Sequence, residues 1–324
     1  MRRSGVILIT LALLGGTSAA FAITQALKLE RSPITAPKFD RVFAPTCGCP
    51  TARTRLRMRL REAARLTVTV VNRDGRPVRG LVENRRFSKG VVNLSWDGRT
   101  DGGAIAPDGR YRVRIHFPGK GRTILVPQDV RLDTKPPVAR IVRVPARVFS
   151  PDGDGKNDHL KVVYTSSEKG AALVVADAEV AVRGKPRAAG LSRVTWAGRI
   201  GDEVKPPGIY LLELRVRDRA GNLSEPIEGV PVRLRFIELA RITSRVRAGG
   251  LLRFRVVVDA LPFRWQLLGP DAEDSTRPAL SGEGERNVVV VRLPRRVERG
   301  RYLLRVEARG HEDEAVAFVT GARP

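Results

Sequence analysis

The sequence carries the stretch RVFSPDGDGKND at residues 147–158, and 106 residues earlier it carries the stretch RVFAPTCGCP at residues 41–50. Both stretches begin with Arg-Val-Phe, a small residue and Pro, and both continue into a tight loop. The loop is acidic in the later copy and contains two cysteines in the earlier copy. We therefore interpret the two stretches as the entrances to two related domains.

The residues after the first entrance alternate with a period of two. One side carries Arg53, Arg55, Arg57 and Arg59, and the other carries Thr54, Leu56, Met58 and Leu60. This alternation is typical of a strand with one solvated face and one buried face. Similar short runs follow, and turns rich in Gly, Asp and Asn separate them. The sequence thus predicts an all-β chain of small antiparallel sandwiches.

Two aromatic anchors recur at a nearly constant distance. Trp96-Asp97-Gly98-Arg99 precedes Gly109-Arg110-Tyr111, and about 100 residues later Trp196-Ala197-Gly198-Arg199 precedes Gly208-Ile209-Tyr210. The segment Gly300-Arg301-Tyr302 repeats the tyrosine element, but no Trp-Asp-Gly stands before it. The chain therefore contains a duplication, and a more diverged third copy is expected.

These anchors, together with the turn from Asn72 to Arg79, resemble the immunoglobulin-like module named after the carboxy-terminal part of the flagellar hook-assembly scaffold protein. Similar modules recur in many bacterial surface and secreted proteins. The resemblance implies tandem Ig-like β-sandwich domains. It also implies structural roles, in the core and at the corner of each sandwich, for Trp96, Tyr111, Trp196 and Tyr210.

The organisation of the chain follows from these repeats and from proline-rich junctions such as Asp133-Thr134-Lys135-Pro136-Pro137. We predict a signal peptide or transmembrane anchor at 1–27, a linker at 28–38, Ig-like domain 1 at 39–131, a linker at 132–145, Ig-like domain 2 at 146–234, and a diverged β-sandwich domain 3 at 235–324.

The N-terminal segment from Gly5 to Leu27 contains no charged residue and follows Arg2-Arg3. As a helix it would reach about 34 Å, enough for a hydrocarbon core of about 30 Å. The paired arginines would remain in the cytoplasm. Ala20-Phe21-Ala22 also fits a signal-peptidase site with a cut before Ile23. The sequence leaves an uncleaved anchor and a cleaved signal open, and either one predicts an extracytoplasmic protein, single-pass in the cell membrane or secreted.

The formal net charge is +25, from 59 Lys and Arg against 34 Asp and Glu. A surplus of this size attracts anionic partners such as nucleic acid, acidic wall polymers or lipid headgroups. The alternative is that arginine merely fills the solvent faces of strands. The basic residues are spread along the chain, whereas nucleic-acid-binding proteins usually cluster them on one face. Nucleic acid is therefore the less favoured partner.

The acidic loop suggests a calcium site at Asp152, Asp154 and Asp158. When Gly155 is placed at the sixth position of an EF-hand loop, these side chains and Ser150 take ligand positions. The twelfth position, however, is Lys161 instead of glutamate. The alternative is a turn whose acidic side chains accept hydrogen bonds from their own backbone amides. No other cofactor is predicted.

Cys47 and Cys49 are the only cysteines. They suggest a local disulfide outside the cytoplasm, and free thiols or an intermolecular bond remain the alternatives. The three histidines, His116, His159 and His311, stand in no recognisable nucleophile and base arrangement. The sequence also lacks a phosphate loop and a dinucleotide-binding fingerprint. We therefore expect a protein that is not an enzyme.

Two functions compete at this point. The first is a membrane-anchored, non-catalytic array of Ig-like modules for scaffolding or adhesion at the cell surface, with a protein or an envelope polymer as partner. The second is a basic protein that binds an anionic cell-wall polymer or nucleic acid through its arginine stripes. Added salt should weaken binding in the second case, because ions screen charge-driven association.

Overall fold

A computed structural model of the chain describes residues 12–21, 32–259, 261–270 and 278–321. The chain divides into two compact units, Met1–Thr134 and Lys135–Pro324. Residues 12–21 are helical, and most of the predicted anchor or signal at 1–27 lies outside the described residues. Within the described ranges, no helix is both long enough and apolar enough to cross a bilayer.

The first unit contains one β-sandwich. Its strands are β1 (Ile34–Phe39), β2 (Val42–Phe43), β3 (Thr54–Leu60), β4 (Ala64–Val71), β5 (Pro77–Phe87), β6 (Gly90–Trp96), β7 (Gly109–Phe117), β8 (Arg122–Leu125) and β9 (Val130–Leu132), with a 3-10 turn at Pro118–Lys120. A three-stranded sheet, β1-β3-β6, packs against a larger sheet in the order β2-β9-β7-β4-β5, and β8 pairs with β7. We call these the small sheet and the large sheet.

The second unit contains two further sandwiches, each with its own hydrophobic core. The second sandwich is built from β10 (Ala139–Arg143), β11 (Val148–Phe149), β12 (Leu160–Ser166), β13 (Gly170–Ala176), β14 (Glu179–Arg183), β15 (Gly190–Trp196), β16 (Arg199–Ile200), β17 (Glu203–Val204), β18 (Gly208–Asp218) and β19 (Ile227–Leu234). The third is built from β20 (Glu238–Ile242), β21 (Arg245–Arg247), β22 (Leu251–Val257), β23 (Phe263–Leu268), β24 (Leu280–Gly284), β25 (Val288–Arg292), β26 (Gly300–Ala308) and β27 (His311–Thr320).

All three sandwiches share one topology. The small sheets are β1-β3-β6, β10-β12-β15 and β20-β22-β25, and the large sheets of the second and third sandwiches run β11-β19-β18-β13-β14 and β21-β27-β26-β23-β24. In each sandwich a short strand, β2, β11 or β21, pairs in parallel at one edge of the large sheet, whereas the other pairings are antiparallel. The predicted all-β fold of tandem Ig-like sandwiches is confirmed.

The core forms because side chains alternate across each strand. Along β3, Thr54, Leu56, Met58 and Leu60 are buried and the intervening arginines are exposed. The buried side chains face those of the large sheet, among them Val113 and Ile115 on β7. Burying apolar surface in this way contributes roughly 25 cal/mol per Å², so each sheet stabilises the other.

The structure corrects the two predicted linkers. Residues 34–38 of the expected spacer 28–38 belong to β1, which pairs with β3, and residues 139–143 of the expected linker 132–145 form β10, which pairs with β12. Prolines suggested non-sheet structure in both places. Both strands are edge strands of a small sheet, where a missing backbone donor can face solvent, and the register of each pairing shifts once along the strand.

The third sandwich contains two strands with a weak sequence pattern. His311 begins the long strand β27, which pairs with β26 from end to end. The short strand β24, at Leu280–Gly284, lies in a stretch of mostly polar and small residues. Alternating charged residues such as Glu312 and Glu314 concealed β27, because only its second half carries a clear apolar pattern.

Candidate functional site

The first entrance motif leads into an aromatic cluster. The Phe43 and Trp96 ring centroids lie 5.3 Å apart, and those of Trp96 and Tyr111 lie 4.9 Å apart. The indole Nε1 of Trp96 donates to the carbonyl of Arg99 at 2.8 Å, and the Tyr111 hydroxyl donates to the carbonyl of Pro107. Trp96 and Tyr111 are buried, and burial raises the pKa of the Tyr111 hydroxyl.

The second entrance repeats this geometry. Phe149 and Trp196 centroids lie 5.3 Å apart, and those of Trp196 and Tyr210 lie 5.5 Å apart. Trp196 Nε1 donates to the carbonyl of Arg199 at 2.8 Å, and the Tyr210 hydroxyl donates to the carbonyl of Pro206 at 2.6 Å. Burial raises the pKa of the Tyr210 hydroxyl as well. Phe, Trp and Tyr therefore form one structural unit in each of the first two sandwiches.

The proline of each entrance motif explains the glycine that follows each tryptophan. Gly98 has a φ of +78°, and a Cβ there would lie 2.8 Å from Pro45 Cγ. Gly198 has a φ of +67°, and a Cβ there would lie 2.7 Å from Pro151 Cγ. A side chain at either glycine would meet both steric overlap and an unfavourable backbone conformation. The two separated motifs are therefore the two halves of one packing contact.

The loop after the first entrance is closed by a disulfide. Cys47 and Cys49 are bonded to each other, and the Cys49 Sγ lies 3.0 Å from the Thr51 hydroxyl. The backbone N–H of Ala44 donates to the carbonyl of Thr51 at 3.1 Å. The cysteine loop, residues 44–51, therefore has both a covalent and a backbone closure.

The acidic loop, residues 150–158, is closed by the corresponding backbone bond, from the N–H of Ser150 to the carbonyl of Asn157 at 3.0 Å. The two carboxylate oxygens of Asp158 accept from the N–H groups of Gly153 at 2.8 Å and Gly155 at 2.7 Å. Asp152 Oδ1 accepts from the Asp154 N–H at 3.1 Å. Asp154 Oδ1 likewise accepts from the Lys156 N–H at 2.7 Å. The loop thus has the self-capped geometry that was the alternative to a calcium site.

The structure groups a different set of carboxylates from the predicted one. Oxygen atoms of Asp152, Asp154 and Asp259 lie within 4.8 Å of one another, and Asp259 comes from the third sandwich. Burial, followed by repulsion from Asp154, Asp259 and Asp158, raises the pKa of Asp152, although the Asp154 N–H opposes this shift. Asp259 Oδ1 is buried and has no hydrogen-bond partner among the described residues. Calcium therefore stays a prediction, with Asp259 in place of Asp158 in the cluster.

Other residues of the third sandwich also reach the junction with the second. The His311 ring stacks on Phe236, with centroids 3.5 Å apart and ring planes 3° from parallel. Burial lowers the pKa of His311, and the nearby Asp152 carboxylate opposes that shift. Asp313 Oδ2 accepts from the Leu239 N–H at 2.7 Å. The junction thus combines an aromatic stack with a small group of acidic side chains.

The solvent faces of the small sheets form a second kind of candidate site. In the first sandwich, Lys38, Arg55, Arg57 and Arg59 are exposed on one face, and Lys38 pairs across the strands with Arg57. The third sandwich repeats this arrangement, because Arg241 pairs with Arg255 beside exposed Arg253 and Arg292. The second sandwich exposes Arg140, Arg143, Lys161 and Arg193 on the corresponding strands.

Several arginines of the large sheets lie close to carboxylates. Arg110 and Arg112 lie within salt-bridge distance of Asp129, and Arg131 lies 2.9 Å from Asp133. Ion pairs also hold large-sheet arginines of the other sandwiches, including Arg215, Arg264 and Arg305. Among the described residues, by contrast, no basic side chain of a small-sheet strand forms an ion pair. The sequence pattern predicted the outward arginines but could not show which of them lack a carboxylate partner.

The fold and these anchors define a protein of tandem Ig-like repeats. A family model, the FlgD Ig-like domain, matches residues 48–117. This segment includes Trp96 and Tyr111, on which the resemblance to the hook-assembly module rested. No curated protein matches the sequence.

Solved structures with similar folds include two multi-domain proteins. The fibronectin(III)-like modules of Clostridium thermocellum CbhA are 14% identical, with a TM-score of 0.34, over 61% of this chain and 93% of that chain. The titin domains I67–I69 are 15% identical, with a TM-score of 0.26, over 89% of this chain and 100% of that chain. At such scores these likenesses carry no argument about function.

Proposed function

We propose that this protein is a non-catalytic, extracytoplasmic array of Ig-like domains that acts in scaffolding or adhesion at the bacterial cell surface. The N-terminal apolar segment is its membrane anchor, or its export signal if it is cleaved. Ig-like repeats are consistent with a scaffold or adhesion-type role, because such folds are generally used for binding and spacing. Fold alone does not define a function, so the proposal rests on one particular surface feature.

That feature is the repeated small-sheet face. Three sandwiches with separate cores present the same sheet with exposed basic side chains. An array of this kind offers several equivalent contacts to one extended partner, which increases overall affinity without any single strong site. Repeated modest contacts suit scaffolding or adhesion better than they suit chemistry at a single centre.

The first experiment tests location and anchoring. The full-length chain with a C-terminal tag would be expressed in a bacterial host and followed by membrane fractionation and by protease treatment of spheroplasts. We expect the tag outside the cytoplasm, in the membrane fraction and accessible to protease if the segment is an anchor, or released from the cell membrane if the segment is cleaved. N-terminal sequencing then distinguishes an intact anchor from a protein that begins at Ile23. Recovery of the tag in the cytoplasmic fraction, protected from protease, would contradict the proposal.

The second experiment tests the type of partner. Cross-linking in intact cells, followed by isolation of the tagged chain and mass spectrometry, should identify envelope proteins or polymer fragments. The alternative function, binding of an anionic polymer through the arginine faces, is favoured because, within the described residues, the basic side chains of the small-sheet strands form no ion pairs. Binding driven by those faces would be strongly weakened by added salt.

A further inference from the structure

The small-sheet face of the first sandwich consists of Lys38, Arg55, Arg57 and Arg59 together with Asn93 and Ser95 on the neighbouring strand. The register places Arg57 directly between Lys38 and Asn93, and it places Arg55 opposite Ser95. Part of this face forms a shallow depression of about 650 Å³. Its one acidic side chain, Asp40, accepts the backbone N–H of Arg55 at 3.0 Å.

This arrangement is costly for the isolated protein. Like charges directly opposite each other on a sheet are destabilising, and here Lys38 and Arg57 are opposite each other without an ion-pair partner in the described part of the chain. The same arrangement recurs at Arg241 and Arg255 in the third sandwich. On the large sheet of the first sandwich, Arg110 and Arg131 are also opposite each other, but each lies near a carboxylate, Asp129 or Asp133. An anion bound from outside would relieve the repulsion between Lys38 and Arg57.

The spacing of the cations indicates the form of that anion. Arginines two residues apart along β3 are separated by about 6.8 Å on the same face. A ligand that binds Arg55, Arg57 and Arg59 together must carry successive negative groups about the same distance apart. Guanidinium groups bind phosphate oxygens in a bidentate manner. A three-carbon polyol joined by phosphodiesters has a repeat of similar length, and its hydroxyl groups suit Asn93 and Ser95.

The composition of the same face does not favour nucleic acid as its partner. Proteins that bind single strands without sequence preference stack the bases on aromatic side chains. The outward residues of β6 are Val91, Asn93 and Ser95, and those of β3 are arginines, so these two strands offer no aromatic platform. The flat face also lacks a helix or ribbon that would enter a groove.

We infer that the small-sheet face of the first sandwich binds a linear polyol-phosphate polymer through Arg55, Arg57 and Arg59, and that the equivalent faces of the other sandwiches add further contacts. This inference deepens the proposed function and rests on it for the extracellular location of the partner. The face supplies charge and hydroxyl recognition, and no bond is made or broken.

The test uses the full-length chain in mild detergent, with fluorescence anisotropy at about 50 and about 300 mM salt. The probes are a labelled glycerol-phosphate oligomer, an oligothymidylate with the same number of phosphates, and polyglutamate. The variant combines Arg55→Gln, Arg57→Gln and Arg59→Gln. Its matched control combines Arg110→Gln, Arg112→Gln and Arg114→Gln, which removes the same charge at the same spacing from β7 of the large sheet.

We expect the glycerol-phosphate oligomer to bind most tightly, and its affinity to fall about tenfold or more at the higher salt. The β3 variant should lose about tenfold in affinity, and the β7 control less than about threefold. Melting curves verify that both variants fold.

Equal losses in the two variants would overturn the inference, because binding would then follow net charge alone. Preference for oligothymidylate or polyglutamate would overturn it in favour of a different anion. Absence of binding by the wild type would also overturn it. In each case the proposed function survives if the fractionation test finds the chain outside the cytoplasm, so the two failures are distinguishable.

Discussion

The cysteine loop and the acidic loop occupy equivalent positions in their sandwiches, but different interactions close them. Each follows the same entrance motif, and each is closed by a backbone hydrogen bond between residues seven positions apart, 44 to 51 and 150 to 157. The constant offset of 106 residues places Cys47 and Cys49 at the positions of Gly153 and Gly155. A disulfide joins the first pair of residues, and the carboxylate of Asp158 joins the backbone N–H groups of the second pair.

The backbone explains why the two solutions are not interchangeable. In the cysteine loop the central Gly48 has a positive φ of 57°, whereas in the acidic loop the flanking Gly153 and Gly155 have φ values of 80° and 85°. A cysteine at either flanking position of the acidic loop would be strained. The comparison teaches that the entrance motif fixes the start and the length of the loop, and that its interior can evolve separately.

The aromatic cluster occurs at both entrances. Substitutions in it should cause the largest losses of stability, and these losses should be nearly equal in the two sandwiches. Trp96→Ala and Trp196→Ala should each destabilise their own sandwich by about 3–5 kcal/mol, because each removes a fully buried indole between Phe and Tyr rings. Urea unfolding followed by hydrogen-exchange mass spectrometry assigns the loss to one sandwich. The milder changes Trp96→Phe and Trp196→Phe are the controls and should cost less. A large difference between the two alanine variants would break the equivalence of the clusters.

Two substitutions of aspartates at or beside the acidic loop should change the stability of the protein in opposite directions. Asp158→Ala removes the acceptor of two backbone N–H groups and should cost about 2 kcal/mol. Asp259→Asn removes a negative charge beside Asp152 and Asp154, and in chelator it should stabilise the junction by roughly 0.5–1 kcal/mol. Thermal unfolding of the full-length chain in chelator measures both effects.

The same variants test calcium. If Asp152, Asp154 and Asp259 bind the ion, millimolar calcium should raise the melting temperature of the wild-type chain and not that of the Asp259→Asn variant. Equal melting of the wild type in calcium and in chelator would remove the calcium prediction. A destabilised Asp259→Asn variant in chelator would contradict the repulsion among these carboxylates.

The covalent closure of the cysteine loop should contribute less than the carboxylate closure of the acidic loop. The ring closed by Cys47 and Cys49 is short, and the loss of chain entropy it imposes on the unfolded state is worth about 1–2 kcal/mol. Cys47→Ser combined with Cys49→Ser should destabilise the first sandwich by that amount. The control is reducing agent, which should lower the stability of the wild type and leave that of the variant unchanged. If neither treatment alters the first sandwich, the disulfide has no structural role.

The sequence was sufficient to predict whatever depends on local pattern. Alternation revealed β3, and the Trp and Tyr anchors revealed the duplication, because a period of two and a repeated motif are both local signals. It was not sufficient for β1 and β10, because prolines obscured edge strands whose pairing is set by a distant partner. Asp259 could not be assigned to the acidic cluster, since only the packing of the third sandwich on the second brings it there.

Only part of the candidate basic surface could be predicted from the sequence. The outward direction of Arg55, Arg57 and Arg59 follows from alternation with buried neighbours. Alternation does not show that the arginines of β3 lack ion pairs. Arg110 and Arg112 on β7 alternate with buried residues in the same way, and yet they lie beside Asp129. The difference lies in loop carboxylates that reach the large sheet, and their reach depends on tertiary structure.

The smallest expected effect is a dependence on pH that only the acidic loop and its junction should show. Burial lowers the pKa of His311, so the folded state favours its neutral form. The corresponding stability is complete above the unfolded pKa of about 6.5 and is lost as the pH falls below it. The pKa of Asp152 is raised, so its contribution has the opposite sign and is regained at more acidic pH, where the carboxyl group takes up a proton.

Melting of the wild-type chain between about pH 7.5 and about pH 5.5 should therefore show a small decrease in the transition of the third sandwich. His311→Phe keeps a ring on Phe236 but does not titrate, so the decrease should disappear in this variant. His159→Gln, at an exposed position directly after the acidic loop, is the matched control and should retain the decrease. The first sandwich should show no comparable change, because His311 belongs to the third sandwich. A decrease that persists in His311→Phe would place the pH sensitivity elsewhere in the second unit.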